Sequence, residues 1–284
     1  MTGQFASVTA GFIEDRILTM RTSQPLIGLS EPPPYGVYNP SGTSDVVLIC
    51  EHASPLIPEA LNGLGLPDSD QKRHIGWDIG ALRVAEQLAD LLDAPLFYTN
   101  YSRLVLDANR PHASEQMFPE ISERTVIPGN LNLSEAEKAQ RVAYFFEPFH
   151  TAIDRFLDRR LEQLQSTRIV TVHSFTPIYK DETRPWEVGI LYGTAKGFGQ
   201  QIIGCLQCEN ITCIGENEPY QIDINDYAIP VHGDKRGIPA VLIELRHDLI
   251  STPPGIQRWT KYLARALEEK YETETQVTTN ERSY

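Results

Sequence analysis

From Val46 onward, short apolar runs alternate with amphipathic segments, and this alternation limits the possible folds more than any other feature. Runs such as "VVLIC" and "WEVGILYG" have the length and composition of buried strands, whereas "GWDIGALRVAEQLADLLDAP" repeats apolar residues at helical spacing. Strands that alternate with helices predict a mainly parallel sheet with helices on both faces. We therefore expect an α/β fold, a three-layer αβα sandwich around a mainly parallel mixed sheet.

The first residues do not share this pattern. The stretch "LSEPPPYGVYNPSGTSD" is rich in proline and turn residues, which predict no regular structure. We expect residues 1–40 to form an arm that packs on a single domain of residues 41–284, since no linker or internal repeat divides the rest. Within this domain, a capping box of Ser134 and Glu137 predicts the start of a long helical stretch that Pro148 kinks or divides.

Composition excludes several classes of partner. The chain of 284 residues is 41% hydrophobic, so it can bury a substantial core, and its net charge is -13 with a pI near 5.0. This charge argues against binding to nucleic acid or to an anionic membrane. The sequence has no signal-peptide pattern and no long apolar run, which predicts a cytoplasmic location. An anionic substrate would need a local pocket of positive charge.

Side chains with functional potential follow several of the predicted strands directly or stand at the start of a predicted helix. In an open α/β sheet the carboxyl ends of the strands form the ligand site, so these side chains are expected to converge at one rim. Two histidines and a carboxylate are a common ligand set for catalytic zinc, and a further glutamate could then act as general base. The residues in question are Glu51, His52, Trp77, Asp78, His173, Ser174, Glu244 and Arg246.

The sequence resembles a known family in seven motifs. In chain order they are "CEHAS…IP", "HIGWDIGA", "SRLVLDANRP", "VHSFTP", "VGILYG", "NEPY" and "GIPAVLIELRHDL". Together they are similar to the N-formylglutamate amidohydrolase (N-formylglutamate deformylase) family over roughly Val46 to Leu249. That family is related to the zinc carboxypeptidases and to aspartoacylase. The resemblance implies a carboxypeptidase-like (phosphorylase/hydrolase-like) fold with one Zn²⁺ ion, and another divalent metal stays open as an alternative.

The resemblance also implies roles for individual residues. His52, Asp78 and His173 would be the zinc ligands. Because Pro55 stands where a carboxypeptidase HxxE motif has its glutamate, Glu51 is kept as the substitute for Asp78. "LIELRHD" is similar to the strand that carries the general base, which implies this role for Glu244.

The substrate would be a small anionic N-acyl amino acid. "LDANRP" is similar to a segment whose Asn and Arg bind a substrate carboxylate, which implies this role for Asn109 and Arg110. A guanidinium binds a carboxylate in a bidentate manner, so further arginines are candidates for the positive pocket. The complete set of candidate substrate-binding residues is Asn109, Arg110, Arg103, Arg246, Arg236, His232 and Tyr220. The implied reaction is hydrolysis of N-formyl-L-glutamate to formate and L-glutamate, in histidine degradation.

Other interpretations stay open. The substrate could be another N-acyl amino acid or a small peptide with a free carboxylate, and a relative without catalysis would use the cleft for binding alone. Ser54 and Ser174 stand beside histidines, but the G-x-S-x-G elbow of many serine hydrolases is missing. Cys205 and Cys208 lack the second cysteine pair of a structural zinc site, and Cys213 does not supply it. The sequence leaves the oligomeric state open.

Overall fold

The computed structural model describes residues 25–269 and Tyr271. The strands are β1 (Tyr35–Tyr38), β2 (Val46–Cys50), β3 (Leu96–Thr99), β4 (Ile121–Ser122), β5 (Thr125–Val126), β6 (Arg168–Phe175), β7 (Ile178–Tyr179), β8 (Glu182–Thr183), β9 (Val188–Tyr192), β10 (Ile214–Glu216) and β11 (Ala240–Arg246). The α-helices are α1 (Asp68–Gln71), α2 (Ala81–Leu92), α3 (Glu135–Arg141), α4 (Glu147–Glu162), α5 (Lys196–Cys208) and α6 (Pro253–Glu268). Two π-helical turns cover Val142–Phe146 and Ala228–Gly233.

A seven-stranded sheet has the order β1-β3-β2-β6-β11-β9-β10. Its central strands β3, β2, β6 and β11 are parallel to one another. Strand β9 runs antiparallel to β11, and β10 runs parallel to β9. The carboxyl ends of β2, β6 and β11 therefore lie at the same edge of the sheet.

Side chains alternate between the two faces of this sheet. Val46 and Leu48 of β2 pack with α2, α5 and α6 on one face. Val47 and Ile49 pack with α4 on the other face. The expected three-layer α/β architecture with a mixed, mainly parallel sheet is confirmed.

Two local expectations need correction. Of the predicted arm of residues 1–40, residues 1–24 lie outside the described residues. The absence of regular structure predicted for residues 29–45 is wrong, because β1 pairs antiparallel with β3. The prolines of "EPPPYGVY" precede β1, and an edge strand needs hydrogen bonds on one side only.

The long helical stretch is divided as expected, but one turn earlier than Pro148. The capping box of Ser134 and Glu137 is confirmed at the start of α3. The π-helical turn Val142–Phe146 separates α3 from α4, and Pro148 lies in the first turn of α4, directly after it.

One loop segment without helix or strand, residues 218–227, lies against the sheet and is called the wall segment below. Glycines allow this close approach, since a Cβ at Gly189 of β9 or at Gly215 of β10 would overlap the carbonyl oxygen of Glu218. The wall segment can therefore reach the edge at which β11 ends.

Candidate active site

A cavity of about 280 Å³ lies at the edge of the sheet where β2, β6 and β11 end. Most of the candidate site residues line it, although they are far apart in the chain. They are His52, Asp78, Arg103, Asn109, Arg110, His173, Tyr220 and Glu244. The backbone N–H of Asp78 donates to the carbonyl of His52 at 2.8 Å, which ties the loop before α2 to the end of β2.

Both cavity histidines turn Nδ1 toward the same carboxylate. Asp78 Oδ2 lies 3.4 Å from His52 Nδ1 and 2.8 Å from His173 Nδ1. Each Nε2 contacts a carboxylate on the opposite side, His52 with Asp107 Oδ1 at 2.7 Å and His173 with Glu51 Oε2 at 2.9 Å. A carboxylate only accepts hydrogen bonds, so each Nε2 carries a proton and donates it. The Nδ1 atoms are the nitrogens available to a metal ion.

The positions of these atoms fit a divalent cation. The ligand atoms of His52, Asp78 and His173 all lie within 4.8 Å of one another. His52 Nδ1 is buried and has no hydrogen-bond partner among the described residues, which is costly unless another group takes its lone pair. Two imidazole nitrogens and a carboxylate suit zinc. Glu51 lies at the far nitrogen of His173, in the position from which a carboxylate orients a metal-binding histidine.

The charges around the imidazoles shift their pKa values. Burial lowers the pKa of His173, but Glu51 and Asp78 outweigh it and hold this pKa well above the usual range. Burial raises the pKa of Asp78, and the two histidines outweigh it, so this pKa lies below its usual range. Metal binding at such a site would release the proton from His173 Nδ1.

Glu244 is adjacent to His173 in the paired strands β11 and β6. Its Oε2 is buried, and no described residue forms a hydrogen bond with it. Burial raises the pKa of Glu244 to about 7, while His173 acts in the opposite direction. A carboxyl group that is free of partners and titrates near neutral pH can accept a proton and return it.

Arg103 and Arg110 bring positive charge to the cavity wall. Arg103 Nη2 donates to Asp107 Oδ2 at 2.5 Å, and Arg103 Nη1 lies 3.7 Å from Asp78 Oδ1. Burial raises the pKa of Asp107, but Arg103 and His52 outweigh it and hold this pKa well below its usual range. Asp107 thus joins a histidine of the candidate metal site to an arginine of the cavity wall.

The side chains of Asn109 and Arg110 contact the wall segment. Asn109 Oδ1 accepts hydrogen bonds from the backbone N–H groups of Tyr227 at 3.1 Å and of Ala228 at 2.9 Å. Arg110 Nη1 donates to Asp226 Oδ1 at 2.8 Å. Both residues that the sequence assigns to a substrate carboxylate are therefore engaged with this segment.

Several lining residues were not predicted. They are Gln116, Leu191, Gln221, Asp223, Asn225, Asp226 and Leu242. Asp107, behind His52, could have been found, because it stands in the motif "LDANRP" and metal-binding histidines usually donate to a carboxylate. The wall segment "EPYQIDINDY" has no periodicity or spacing that predicts its place at the cavity.

Three candidate substrate-binding residues do not line this cavity. His232 is fully buried, with Nε2 2.9 Å from His150 Nδ1 and Nδ1 3.2 Å from Asp154 Oδ1. Arg236 forms ion pairs with Asp154 and Asp158. Nearby carboxylates or imidazoles hold both side chains outside the cavity.

Of the two remaining candidates, Arg246 lies outside the cavity and Tyr220 lines it. Arg246 Nε donates to Asp248 Oδ1 at 2.8 Å, and Arg246 is the third candidate that does not line the cavity. Tyr220 does line it, and its hydroxyl accepts from Arg184 Nη1 at 2.8 Å. The guanidinium carbon of Arg184 also lies 4.9 Å from the centre of the Tyr220 ring.

Comparisons with known proteins identify the family of the chain. The family model of N-formylglutamate amidohydrolase matches residues 44–251, which is more than half of the chain. The chain belongs to the N-formylglutamate amidohydrolase family. The matched range contains every residue of the candidate metal site, His52, Asp78 and His173. The resemblance seen in the seven motifs is confirmed.

Two solved structures are similar to this family member. Gene product Atu2144 from Agrobacterium tumefaciens is 33% identical with a TM-score of 0.83, and the match covers 86% of this chain and 96% of that one. The N-formylglutamate amidohydrolase from Ralstonia eutropha JMP134 is 14% identical with a TM-score of 0.61, and the match covers 83% of this chain and 96% of that one. At this identity the similarity supports the fold alone. A search of curated proteins finds no match. Within the described residues no helix has the length and apolar content needed to span a bilayer.

Proposed function

We propose that the protein is a zinc-dependent amidohydrolase that cleaves the formamide bond of N-formyl-L-glutamate to give formate and L-glutamate. One observation carries the proposal. The unpartnered Nδ1 of His52, the carboxylate of Asp78 and the Nδ1 of His173 converge in the same cavity as the unpartnered carboxyl of Glu244. This set combines a candidate metal site with a free base, and these are the two groups that a metal-assisted hydrolysis of an amide uses.

Residues of the chain account for the proton movements. A bound Zn²⁺ ion would polarise the formyl oxygen and lower the pKa of water. Glu244 accepts a proton from the water that adds to the formyl carbon. Glu244 then returns this proton to the amide nitrogen as the C–N bond breaks, which gives formate and the free amine of L-glutamate. Arg103 and Arg110 hold the substrate carboxylates and orient the formyl group toward the base.

A second substrate class has an observation in its favour. A second space of about 500 Å³ adjoins the cavity, and the two share Asp78, Arg103, Arg110, Gln116, Ser174 and Tyr220. Its wall includes Phe175, Tyr179 and His74. This space would accept a longer acyl group or a small peptide, so other N-acyl amino acids are the alternative substrates.

A serine nucleophile has no support in the geometry. The hydroxyl of Ser174 donates to the carbonyl of Ile79 at 3.0 Å, and the hydroxyl of Ser54 accepts from the N–H of Leu56 at 3.1 Å. A role in histidine degradation and a cytoplasmic location stay predictions from the resemblance and from the sequence.

The test combines metal content with product formation. Zinc is measured by elemental analysis, and formate release from N-formyl-L-glutamate is followed for the parent protein and for Glu244→Gln. We expect near-stoichiometric zinc in both proteins and a rate that is lower in the variant by about 10²–10⁴. Bound zinc with no formate release from the parent would reject this substrate, and a parent protein that binds no metal would reject the mechanism.

A further inference from the structure

Asp226 of the wall segment occupies one side of Arg110 inside the cavity. Its Oδ1 accepts from Arg110 Nη1 at 2.8 Å and lies 3.4 Å from Asn109 Nδ2, and the Asp226 side chain is only 12% exposed. A carboxylate from the protein itself therefore contacts the two side chains that are assigned to a substrate carboxylate.

Backbone hydrogen bonds of the wall segment fix the position of the Asp226 carboxylate. Asp226 Oδ2 accepts from the N–H of Asp223 at 3.0 Å, and the N–H of Asp226 donates to the carbonyl of Asp223 at 3.1 Å. This turn points the carboxylate at Arg110. Arg110 has a second anchor, because its Nη1 also donates to the carbonyl of Asn225 at 3.0 Å. Loss of the charge at position 226 would thus leave the guanidinium held by the backbone.

We propose that Asp226 is a specificity-determining residue, whose carboxylate competes with one carboxylate of the substrate for Arg110. The inference rests on the proposed function for the identity of that substrate. A substrate carboxylate that binds Arg110 through Nη1 must displace Asp226 from this atom, so the net gain at this donor is the difference between two similar charge-assisted hydrogen bonds. Asp226 therefore weakens the binding of the substrate that carries this carboxylate and reduces discrimination against analogues that lack it.

The test compares three substrates in the parent and in Asp226→Asn. They are N-formyl-L-glutamate, N-formyl-L-glutamine and the α-amide of N-formyl-L-glutamate, so that each carboxylate is removed in turn. We expect the KM of N-formyl-L-glutamate to fall about tenfold in the variant, because one charge-assisted competitor is lost. The same fall for only one of the two amides would identify the carboxylate that Arg110 binds.

Asp223→Asn is the matched control. Asp223 lies in the same wall and lines the same cavity, but its carboxylate accepts from the N–H and side chain of Asn225 instead of from Arg110. It removes the same charge, so a small shift that is the same for the two amides, which carry equal charge, measures the general electrostatic effect. Asp226→Ala, which keeps no side-chain acceptor, is expected to act in the same direction as Asp226→Asn. Thermal unfolding of each variant confirms folding.

Two outcomes overturn the inference. One is a rise in the KM of N-formyl-L-glutamate, and the other is an equal change for the two amides in Asp226→Asn, since Asp226 would then not compete with either carboxylate for Arg110. Glutarate has two carboxylates and no amide, and its binding can be measured by calorimetry. This measurement separates a failure of the inference about Asp226 from a failure of the proposed function. If no substrate releases formate, the proposed function fails, and tighter glutarate binding by Asp226→Asn still supports competition, whereas equal or weaker binding rejects it.

Discussion

Asp78 and Glu51 differ in the nitrogen of His173 that they contact. Asp78 Oδ2 faces Nδ1 of both histidines, whereas Glu51 Oε2 contacts only Nε2 of His173. At the scale of single residues, this distinguishes a group that could bind the metal ion from a group that orients a ligand. Spacing in the sequence does not separate these two roles.

The two carboxylates are expected to respond differently to substitution. Asp78→Ala should abolish stoichiometric zinc, because it removes one of three ligands. Glu51→Gln keeps an acceptor at His173 and should weaken zinc binding by about 10–100-fold. Elemental analysis and competition with a chelating dye measure both effects. Retention of zinc by Asp78→Ala together with its loss from Glu51→Gln would exchange the two assignments.

His150 is a buried imidazole that lies away from the candidate metal site. Its Nε2 lies 2.8 Å from the carbonyl of Ala108, so Nε2 donates, and its Nδ1 lies 2.9 Å from His232 Nε2. Burial lowers the pKa of His150 well below its usual range, and His232 adds to this effect. The folded protein therefore keeps His150 neutral in mildly acidic solution.

We expect this residue to make the free energy of unfolding decrease with acidity. A histidine in the unfolded chain takes up a proton below about pH 6.5, whereas His150 in the folded protein does not. The contribution of His150 to the free energy of unfolding is therefore complete above this pH. Below it, the contribution is lost by up to about 1.4 kcal/mol per pH unit. Urea unfolding of the parent and His150→Gln near pH 7.5 and near pH 5.5 measures it. The variant should have a lower free energy of unfolding than the parent near pH 7.5. Its free energy of unfolding should then decrease less than that of the parent between pH 7.5 and pH 5.5. An identical loss in both proteins would assign the pH dependence to other groups.

At the scale of elements, the wall segment depends on glycines in two neighbouring strands. Gly189 in β9 and Gly215 in β10 leave room for the carbonyl of Glu218. A side chain at either position would push the start of the wall segment away from the sheet. The wall segment would carry Asp226 with it, and Arg110 would lose a partner.

Gly189→Ala tests this docking. We expect a loss of about 1–3 kcal/mol in the free energy of unfolding from the overlap with Glu218, together with a changed KM for N-formyl-L-glutamate. Gly204→Ala is the control, because it lies in α5 and an added Cβ has no described heavy atom within 4 Å. That control should gain about 0.5–1 kcal/mol from helix propensity. Urea unfolding and steady-state kinetics measure both, and an unperturbed Gly189→Ala would show that the wall segment adapts.

The elements themselves were largely predictable from local patterns. The capping box of Ser134 and Glu137 and the apolar periodicities depend on neighbours in the sequence, and they correspond to observed helices. Strand β1 was missed because its formation depends on pairing with β3, far along the chain. The π-helical turn Val142–Phe146 was missed for a similar reason, because Phe145 and Phe146 pack into two different apolar clusters.

At the scale of the whole molecule, the candidate metal site joins three separate parts of the chain. His52 follows β2, Asp78 precedes α2, and His173 belongs to β6. A metal ion bound by all three would stabilise the folded protein, because the unfolded chain does not assemble the ligands.

Removal of metal is therefore expected to lower the melting temperature. At a zinc concentration about 1,000 times Kd, the linked stabilisation is about 4 kcal/mol. Thermal unfolding is measured for the zinc-loaded protein, after chelation, and after zinc is added back. The parent should lose and regain stability, and Asp78→Ala should respond little. A parent whose melting temperature does not change would contradict a metal site between these elements.

The sequence by itself determined the alternation of elements and the chemical types at the ends of the strands. Apolar periodicity and strand-end position are local properties, so His52, His173 and Glu244 could be selected from the sequence alone. Only the tertiary structure decided which charges meet, as in the pairing of Arg110 with Asp226 and of Arg236 with Asp154. The physical reason is that ion pairs and burial depend on distances between residues that are remote in the chain, and local patterns carry no information about those distances.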